Sequence, residues 1–316
     1  MKQNLEKKWF FLYAIAVLLG IIVNYFSNNH SQIFQPYILS SISLLLYAVF
    51  LQIPFTQTLY PLKNKRFLFA LIIGNFIIIP LILYLSIPMI DLNTSFKFVL
   101  LLVLLTPSIN YVVLFSKLGG GSDQLIRINT PILLILQMIL IPIFLYFIFE
   151  NTIQTMISID LFTKTLLWII IVPLLLAFIS ECLLKKVNNK FYVQQTIHLL
   201  PKFMLFLVLF LLFATYSQSM WLTSYPDLFT VCFIYLSFLV IMPVIAIPLG
   251  SLFSLTSAQT RTLAFSFLSR NSLIALPIAF VFSHQASVIL SIILLQLCIE
   301  LIGEVIYVRL MPNLIV

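Results

Sequence analysis

The chain consists of long apolar runs separated by short polar segments, a pattern that predicts helices able to cross a lipid bilayer. Such a helix needs about 20 apolar residues. The uncharged stretch between Lys8 and Lys63 is too long for one helix, and the polar run Ser27–Gln32 divides it in two. Dividing the rest of the chain at its polar breaks predicts ten spans. Their ranges are 9–26, 33–53, 67–88, 97–116, 125–149, 161–184, 201–221, 227–254, 261–283 and 286–308.

The composition excludes the main soluble classes. Of the 316 residues, 62% are hydrophobic and only 8% are charged, whereas a soluble domain carries about 25% charge. A cytosolic enzyme or a nucleic-acid-binding protein needs more polar surface than this chain has. The net charge of +8 comes mainly from loop residues and does not indicate nucleic-acid binding. We therefore predict an all-α membrane protein.

Basic residues predict the orientation, because cytoplasmic loops are enriched in Lys and Arg. With ten spans, alternate loops hold Lys2, Lys7, Lys8, Lys63, Lys65, Arg66, Lys117, Arg127, Lys185, Lys186, Lys190, Lys202, Arg261 and Arg309. The opposite loops hold Lys97 and Lys164. This asymmetry predicts a multi-pass protein of the plasma (inner) membrane with both termini in the cytoplasm.

Similar features recur about 160 residues apart, which predicts an internal repeat. The matched pairs, 159 to 163 residues apart, are Trp9 and Trp168, Pro80 and Pro243, Asn110 and Asn271, and Gln137 and Gln296. Because each half has five spans, the second half enters the membrane from the opposite side. The pattern therefore predicts two inverted five-helix repeats, a common plan of secondary transporters; the alternative is chance similarity between apolar helices.

Polar residues and prolines interrupt the fourth and the ninth span. Proline removes a helix hydrogen bond and leaves carbonyls that need partners. The polar residues at the two breaks are Thr106, Ser108 and Asn110 in the fourth span and Ser269, Asn271 and Ser272 in the ninth. Paired broken helices that meet at the membrane midplane indicate a transporter's binding site. We therefore predict that these residues line a solute site, with Thr130, Gln137 and Gln296 as secondary candidates alongside Thr106.

Arg270 is the one basic residue deep inside a predicted span, away from its ends. A charged side chain at bilayer depth is costly and normally faces the protein interior. Its candidate partners are helix-end carbonyls, a carboxylate or an anionic substrate. Glu300, in the tenth span, is either a buried partner for Arg270 or a proton carrier. Glu304 lies nearer to the predicted span end and is interpreted as an interfacial charge.

The remaining chemistry-bearing residues form no catalytic or metal-binding pattern. Cys182, Cys232 and Cys298 are widely spaced in apolar runs, and the three histidines lie in loops or at span ends. We predict no enzyme activity, cofactor or metal. An integral-membrane enzyme and a non-transporting receptor or assembly factor are the competing classes. Such an enzyme would usually carry acidic, His-rich or Cys-rich motifs at the membrane face, which this sequence lacks, and a receptor or assembly factor would not require two symmetric polar breaks.

At these breaks the sequence resembles the bile acid/sodium symporter superfamily, which includes arsenite permeases. The stretch from Ala264 to Asn271 is similar to the permease motif Ala-Phe-Thr-x-x-Ser-x-Asn, and Asn271-Ser272 matches the Asn-Ser of the bile-acid branch. Thr106-Pro107-Ser108 resembles their Pro-Cys segment. The resemblance implies a single transporter unit over residues 1–316 in which the broken fourth and ninth helices cross at the midplane. It also implies a panel domain (9–53 and 161–221) and a core domain (67–149 and 227–308).

Four positions differ from the family patterns. Ser108 stands at the cysteine of the arsenite permeases and Leu273 at their ninth-span glutamate. Ser266 stands roughly at the sodium-binding glutamate of the symporters, and Arg270 at their sodium-binding glutamine. We therefore predict a secondary transporter of a small anionic solute that works without sodium, with a proton as an alternative coupling ion. An efflux permease for arsenite or a related oxyanion and a sodium-coupled organic anion symporter are the alternatives.

Overall fold

A computed structural model describes residues 2–27, 30–53, 64–108, 111–156, 164, 166–184, 190–220, 225–272, 275–276, 279 and 286–315. The described residues form twelve α-helices and no β-strand. The helices are α1 (Lys2–Phe26), α2 (Gln35–Phe50), α3 (Lys65–Ile73), α4 (Ile79–Ser86), α5 (Thr94–Leu104), α6 (Tyr111–Leu118), α7 (Asp123–Met156), α8 (Val172–Leu184), α9 (Lys190–Met220), α10 (Tyr225–Leu252), α11 (Ser257–Leu268) and α12 (Ala286–Leu314). The all-α prediction is confirmed.

Seven helical segments of the described chain are long and apolar enough to cross a membrane. They are Gln32–Phe50, Lys65–Met89, Asp123–Leu145, Leu167–Leu184, Gln195–Gln218, Pro226–Leu252 and Val288–Leu314. The predicted first span contains the shorter apolar helix Phe11–Phe26, and the fourth, predicted from residue 97, overlaps Thr94–Leu104. The ninth begins within α11, which has only 12 residues. The number of ten spans therefore depends on short or interrupted helices and stays a prediction.

Two π-helical turns each end two residues before a proline. Gly74–Ile78 joins α3 to α4 ahead of Pro80, and Leu166–Ile171 precedes α8 ahead of Pro173. Proline cannot donate to the carbonyl four residues earlier, and its ring crowds the preceding turn. The wider turn accommodates that conflict within a continuous helix. In the first case it also places Asn75 inside the helical bundle, where it is fully buried.

Capping residues set the start of the helices that lead to the breaks. Asn93 accepts a hydrogen bond from the backbone of Ser95 at 3.1 Å at the start of α5. Thr256 and Gln259 form a reciprocal capping box at the start of α11, as the Thr-x-x-Gln spacing favours. The box starts α11 at Ser257, four residues before the predicted start of the ninth span.

The backbone contacts divide the chain into two compact units. The first unit comprises residues 1–52, 159–223 and 280–291. In it, α1 and α2 pack against α9, and α2 packs against α8. Gly20 lets α1 approach α9 closely, because a Cβ there would lie 2.7 Å from Cβ of Phe213. Asn24, one turn later, donates to the carbonyl of Ala214 at 2.8 Å.

The second unit comprises residues 53–158, 224–279 and 292–316. Within it, α11 packs against α3, α6, α7 and α10. Every residue from Thr262 to Arg270 is buried, as is every residue from Phe98 to Ser108. The two predicted breaks therefore lie in the most enclosed part of this unit.

Candidate functional site

The two interrupted segments lie side by side and run antiparallel. The chain is non-helical from Leu105 to Ser108 and from Ser269 to Asn271. The N–H of Ser108 donates to the carbonyl of Ser269 at 3.1 Å, and the N–H of Asn271 donates to the carbonyl of Thr106 at 2.7 Å. These two bonds flank an isolated bridge between Pro107 and Arg270. Each segment thus supplies the backbone partners that an interrupted helix lacks.

Local sequence explains where α5 stops. Pro107 has no N–H to continue the helix, and the residue before a proline is pushed out of the helical region. The hydroxyl of Thr106 donates to the carbonyl of Leu102 at 2.6 Å, which satisfies a carbonyl of the last turn. On the other segment, Ser269 is extended, with ψ at 129°.

Arg270 places its guanidinium among oxygens at the end of α11. It is 3% exposed, and its Nη2 donates to the carbonyl of Phe267 at 2.6 Å and to Oδ1 of Asn75 at 3.3 Å. Its Cζ lies 5.1 Å from the ring centre of Phe238, within cation–π range. In the described part of the chain, Nε and Nη1 have no hydrogen-bond partner. The guanidinium is therefore held through Nη2, while its Nε and Nη1 are donors without an acceptor in the described structure.

Asn75 is a site residue that the sequence analysis did not single out. Its Nδ2 donates to the carbonyl of Leu71 at 3.1 Å and to the hydroxyl of Ser266 at 3.2 Å, while Oδ1 accepts from Arg270. The amide thus joins the π-helical turn to α11. The sequence does contain a signal for Asn75, because it is a single amide residue in an otherwise apolar span and directly follows Gly74.

Two carboxylates of α12 bind the second interrupted segment. The backbone N–H of Arg270 donates to Oε2 of Glu300 at 3.1 Å, and the amide of Gln296 donates to the same oxygen. The hydroxyl of Ser269 donates to Oε1 of Glu304. Glu300 therefore contacts the backbone of Arg270, and no ion pair with its guanidinium forms among the described residues.

The interpretation of Glu304 as an interfacial charge was wrong. Its side chain is fully buried. The predicted span ended at residue 308, which put Glu304 close to the membrane surface, but α12 continues to Leu314. Its carboxylate accepts a hydrogen bond from the hydroxyl of Ser269 inside the second unit.

A sequence profile decides the family. The profile of the Sodium Bile acid symporter family matches residues 39–224, more than half of the chain. The chain belongs to the sodium bile acid symporter family. The matched range includes the interrupted segment at Thr106–Ser108, while the segment at Ser269–Asn271 lies beyond it. No curated protein matches the chain.

Family membership fixes the general activity. Proteins of the sodium bile acid symporter family are membrane transporters and not enzymes, so this member is a multi-pass transporter of that type. In the described part of this transporter, no three His, Cys, Asp or Glu side chains lie close enough together to hold a metal ion.

The other predicted site residues of this symporter-family protein have different surroundings. Ser108 and Ser272 are buried at the crossing, and Asn271 is half-buried there. Thr130 donates to the carbonyl of Ile126 in its own helix at 2.9 Å. Gln137 is fully buried, and neither its amide nitrogen nor its oxygen has a partner in the described structure. Asn110 lies outside the described residues.

A second polar cluster joins the last turn of α6 to the first turns of α11, at the ends of these helices that lie away from the interrupted segments. The hydroxyl of Thr262 accepts from the hydroxyl of Ser116 at 3.1 Å and from the backbone N–H of Ser122 at 2.6 Å. Arg261 donates to the carbonyl of Gly120 at 3.2 Å and, through Nη2, to that of Ile315 at 2.8 Å. Through these bonds, Thr262 and Arg261 attach the turn at residues 119–122 and the end of α12 to α11.

Proposed function

We propose that this protein is a secondary active transporter that moves a small anionic solute by alternating access and does not require sodium. The observation that carries the proposal is the position of the Arg270 guanidinium, between the carbonyl of Phe267 and Oδ1 of Asn75. A helix-end carbonyl and an amide oxygen are the kind of ligands that a hard cation prefers. Here a side chain supplies the cation.

Sodium independence follows from the permanence of that charge. Arginine stays protonated in essentially any protein environment. A sodium ion 4 Å from the guanidinium would be repelled by roughly 4 kcal/mol at an effective dielectric constant of 20. The resemblance to the sodium-coupled symporters supports the same conclusion, because Arg270 takes the place of their sodium-binding glutamine.

The anionic character of the solute is inferred from the donors that Arg270 leaves unused. Nε and Nη1 are buried without partners in the described structure, and a buried N–H without an acceptor is unfavourable. A carboxylate or an oxyanion would satisfy these donors with charge-assisted hydrogen bonds. Ser108, Asn271 and Ser272 are proposed to provide the neighbouring polar groups, together with Asn110.

The ten-span inverted repeat is proposed on the geometry of the crossing. Two antiparallel backbone segments joined by two equivalent hydrogen bonds are related by a local two-fold axis. Here that axis relates Pro107 to Arg270, which lies 163 residues later in the chain. Pro80 and Pro243 have the same separation. An inverted repeat requires such an axis in the membrane plane.

The panel and core domains are proposed on the division of the backbone into two compact units. Spans 1, 2, 6 and 7 would form the panel, and spans 3–5 and 8–10 the core. The proposed orientation, with both termini in the cytoplasm and the protein in the plasma (inner) membrane, depends on the distribution of Lys and Arg among the loops.

Counterflow in proteoliposomes tests the proposal. Purified protein is reconstituted with unlabelled solute inside, and entry of labelled lactate, taurocholate or arsenite is followed in sodium and in potassium buffer. We expect entry of an organic anion at rates that agree within twofold in the two buffers. Entry of arsenite alone would favour the oxyanion permease, and strict sodium dependence would contradict the proposal.

Two substitutions of Arg270 separate charge from geometry. Arg270→Gln removes the cation and restores the amide found in the sodium-coupled relatives, so it should lose transport or become sodium-dependent. Arg270→Lys keeps the positive charge but lacks the planar set of N–H donors of a guanidinium. It should remain sodium-independent with weaker solute binding. Unchanged transport by Arg270→Gln would rule out the assigned role.

A further inference from the structure

The two carboxylates on α12 form a cluster that the anion site does not use. Glu300 and Glu304 lie one helical turn apart and are 7% and 0% exposed. Side chains four residues apart on a helix are neighbours, and like charges at this spacing repel each other. In a buried setting the repulsion is stronger, because water does not screen it.

The hydrogen bonds around the pair do not suit two ionised groups. Oε2 of Glu304 is buried and has no partner in the described structure. Arg270 donates its guanidinium hydrogen bonds to Phe267 and Asn75 and forms no ion pair with either carboxylate there. Arg270 carries one positive charge, which can balance only one of the two carboxylates, and a second buried carboxylate without a counterion is strongly unfavourable. A proton on Oε2 of Glu304 would remove the second negative charge.

We propose that Glu300 and Glu304 form a proton-binding site, with the first proton held on Glu304 and a second taken up on Glu300 during transport. This inference rests on the proposed function only in taking the protein to be a carrier. Two carboxylates that share a site commonly hold one proton between them. Intramembrane carboxylates are typical components of proton pathways in transporters.

Other ionisable groups near the pair come from α10 and α12. The hydroxyl of Tyr235, on α10, is buried without a partner in the described part of the chain, and Tyr235 is close enough to Glu300 to sense its charge. Tyr307, on α12, donates its hydroxyl to the carbonyl of Leu239 at 2.9 Å. The hydroxyl of Tyr235 is therefore unpaired within the described residues, whereas that of Tyr307 is already engaged.

The proton site is connected directly to the interrupted segment. Ser269 donates its hydroxyl to Glu304, and the backbone N–H of Arg270 donates to Glu300. An ionised carboxylate accepts such bonds more strongly than a protonated one. Gain or loss of a proton therefore changes how tightly α12 holds the end of α11, next to the guanidinium.

Charge balance predicts the direction of coupling. With one proton on the pair, its single negative charge balances Arg270. An anion bound to Arg270 adds one negative charge, which a second proton on Glu300 neutralises. In each cycle the Glu300 carboxylate gains that proton from water on one side of the membrane and releases it to water on the other. The anion and the proton should therefore move in the same direction.

Infrared spectroscopy tests proton binding without any solute. Purified protein in lipid should show, at neutral pH, the C=O stretch of a protonated carboxyl group, which shifts in D2O. We expect Glu304→Gln to remove this band and Glu304→Asp to keep one. Glu181→Gln, on α8 in the first unit, is the matched control and should leave the band intact. A Glu304→Gln protein with an unchanged band would overturn the proposal.

Transport with a pH gradient tests the coupling. With labelled lactate and taurocholate as probes, an inward proton gradient should drive wild-type accumulation above equilibrium. Glu300→Gln should lose this accumulation completely, because it removes the carboxylate that takes up the transported proton. Wild-type counterflow without gradient-driven accumulation would overturn proton coupling and leave the proposed function standing. Absence of counterflow would count against the proposed function, while the infrared band would still decide proton binding.

Discussion

The hydroxyl of Ser116 donates a hydrogen bond to that of Thr262 at 3.1 Å, across 146 residues of sequence. This contact joins the helix that follows one interrupted segment to the helix that precedes the other. Ser116 and Thr262 are both fully buried. The two interrupted spans are therefore attached to each other by side chains as well as by the backbone at the crossing.

A cysteine pair should report this attachment. With Cys182, Cys232 and Cys298 replaced by serine, Ser116→Cys with Thr262→Cys should form a disulfide under mild oxidation, because these two buried side chains meet at their hydroxyl oxygens, 3.1 Å apart. The measurement is loss of maleimide labelling, with peptide mass spectrometry to locate the bond. Ser116→Cys with Thr260→Cys is the control, since Thr260 faces Gly250 on α10. Equal cross-linking of both pairs would contradict the packing.

Asn75 should act on transport through Arg270. Asn75→Ala removes a hydrogen bond to a charged group, worth about 1.5–3 kcal/mol, so the guanidinium loses its orientation. We expect the KM for the transported anion to rise roughly 10-fold or more, as 1.4 kcal/mol is a tenfold change. Asn75→Asp should also weaken anion binding, because a carboxylate would compete for the guanidinium.

Thr230→Ala is the matched control, since this half-buried α10 residue bonds only its own helix in the described structure. Unfolding temperatures of all three variants should be measured beside KM. A structural role alone would lower stability in Asn75→Ala and leave KM unchanged, and that result would remove Asn75 from the site.

Arg261 should contribute mainly to stability. Its Nε and Nη2 both donate to the carbonyl of Ile315, at 3.0 and 2.8 Å, and Nη1 donates to Gly120. Arg261→Ala should destabilise the folded protein by about 1.5–3 kcal/mol, and Arg261→Lys should recover only part, since lysine lacks the planar set of N–H donors. Thermal unfolding in detergent is the measurement. Arg309→Ala, at an exposed position, should stay within about 0.5 kcal/mol of wild type.

Gly20 should be intolerant of a side chain. Alanine normally stabilises a helix by about 1 kcal/mol relative to glycine, but here a Cβ would lie 2.8 Å from the carbonyl of Phe210 and 2.9 Å from the nitrogen of Ala214. These are backbone atoms and cannot rotate away. Gly20→Ala should therefore be destabilising by about 1–3 kcal/mol. An unfolding temperature above wild type would show that α1 and α9 do not pack this closely.

The position of the first interruption follows from the sequence for a simple reason. Apolar runs and prolines act locally, so Pro107 stops α5 whatever lies around it. The same holds for the all-α architecture, which the length of the apolar runs predicts without any knowledge of tertiary contacts.

The errors concern residues whose partners are distant in the chain. Asn75 was overlooked because its role depends on Arg270, 195 residues later. Glu304 was misjudged because a predicted helix end decided its environment, and helix ends are the least certain feature of a span. Hydropathy reports how apolar a segment is, but it does not indicate which polar groups meet inside it.

The crossing of the two interrupted segments is made by backbone atoms, and this has an evolutionary consequence. The bonds between Ser108 and Ser269 and between Thr106 and Asn271 use only main-chain N–H and C=O groups. Side chains at these positions are therefore free to diversify while the scaffold persists. The groups that bind an ion or a solute beside the crossing can therefore change from one protein to another without any change to the crossing itself.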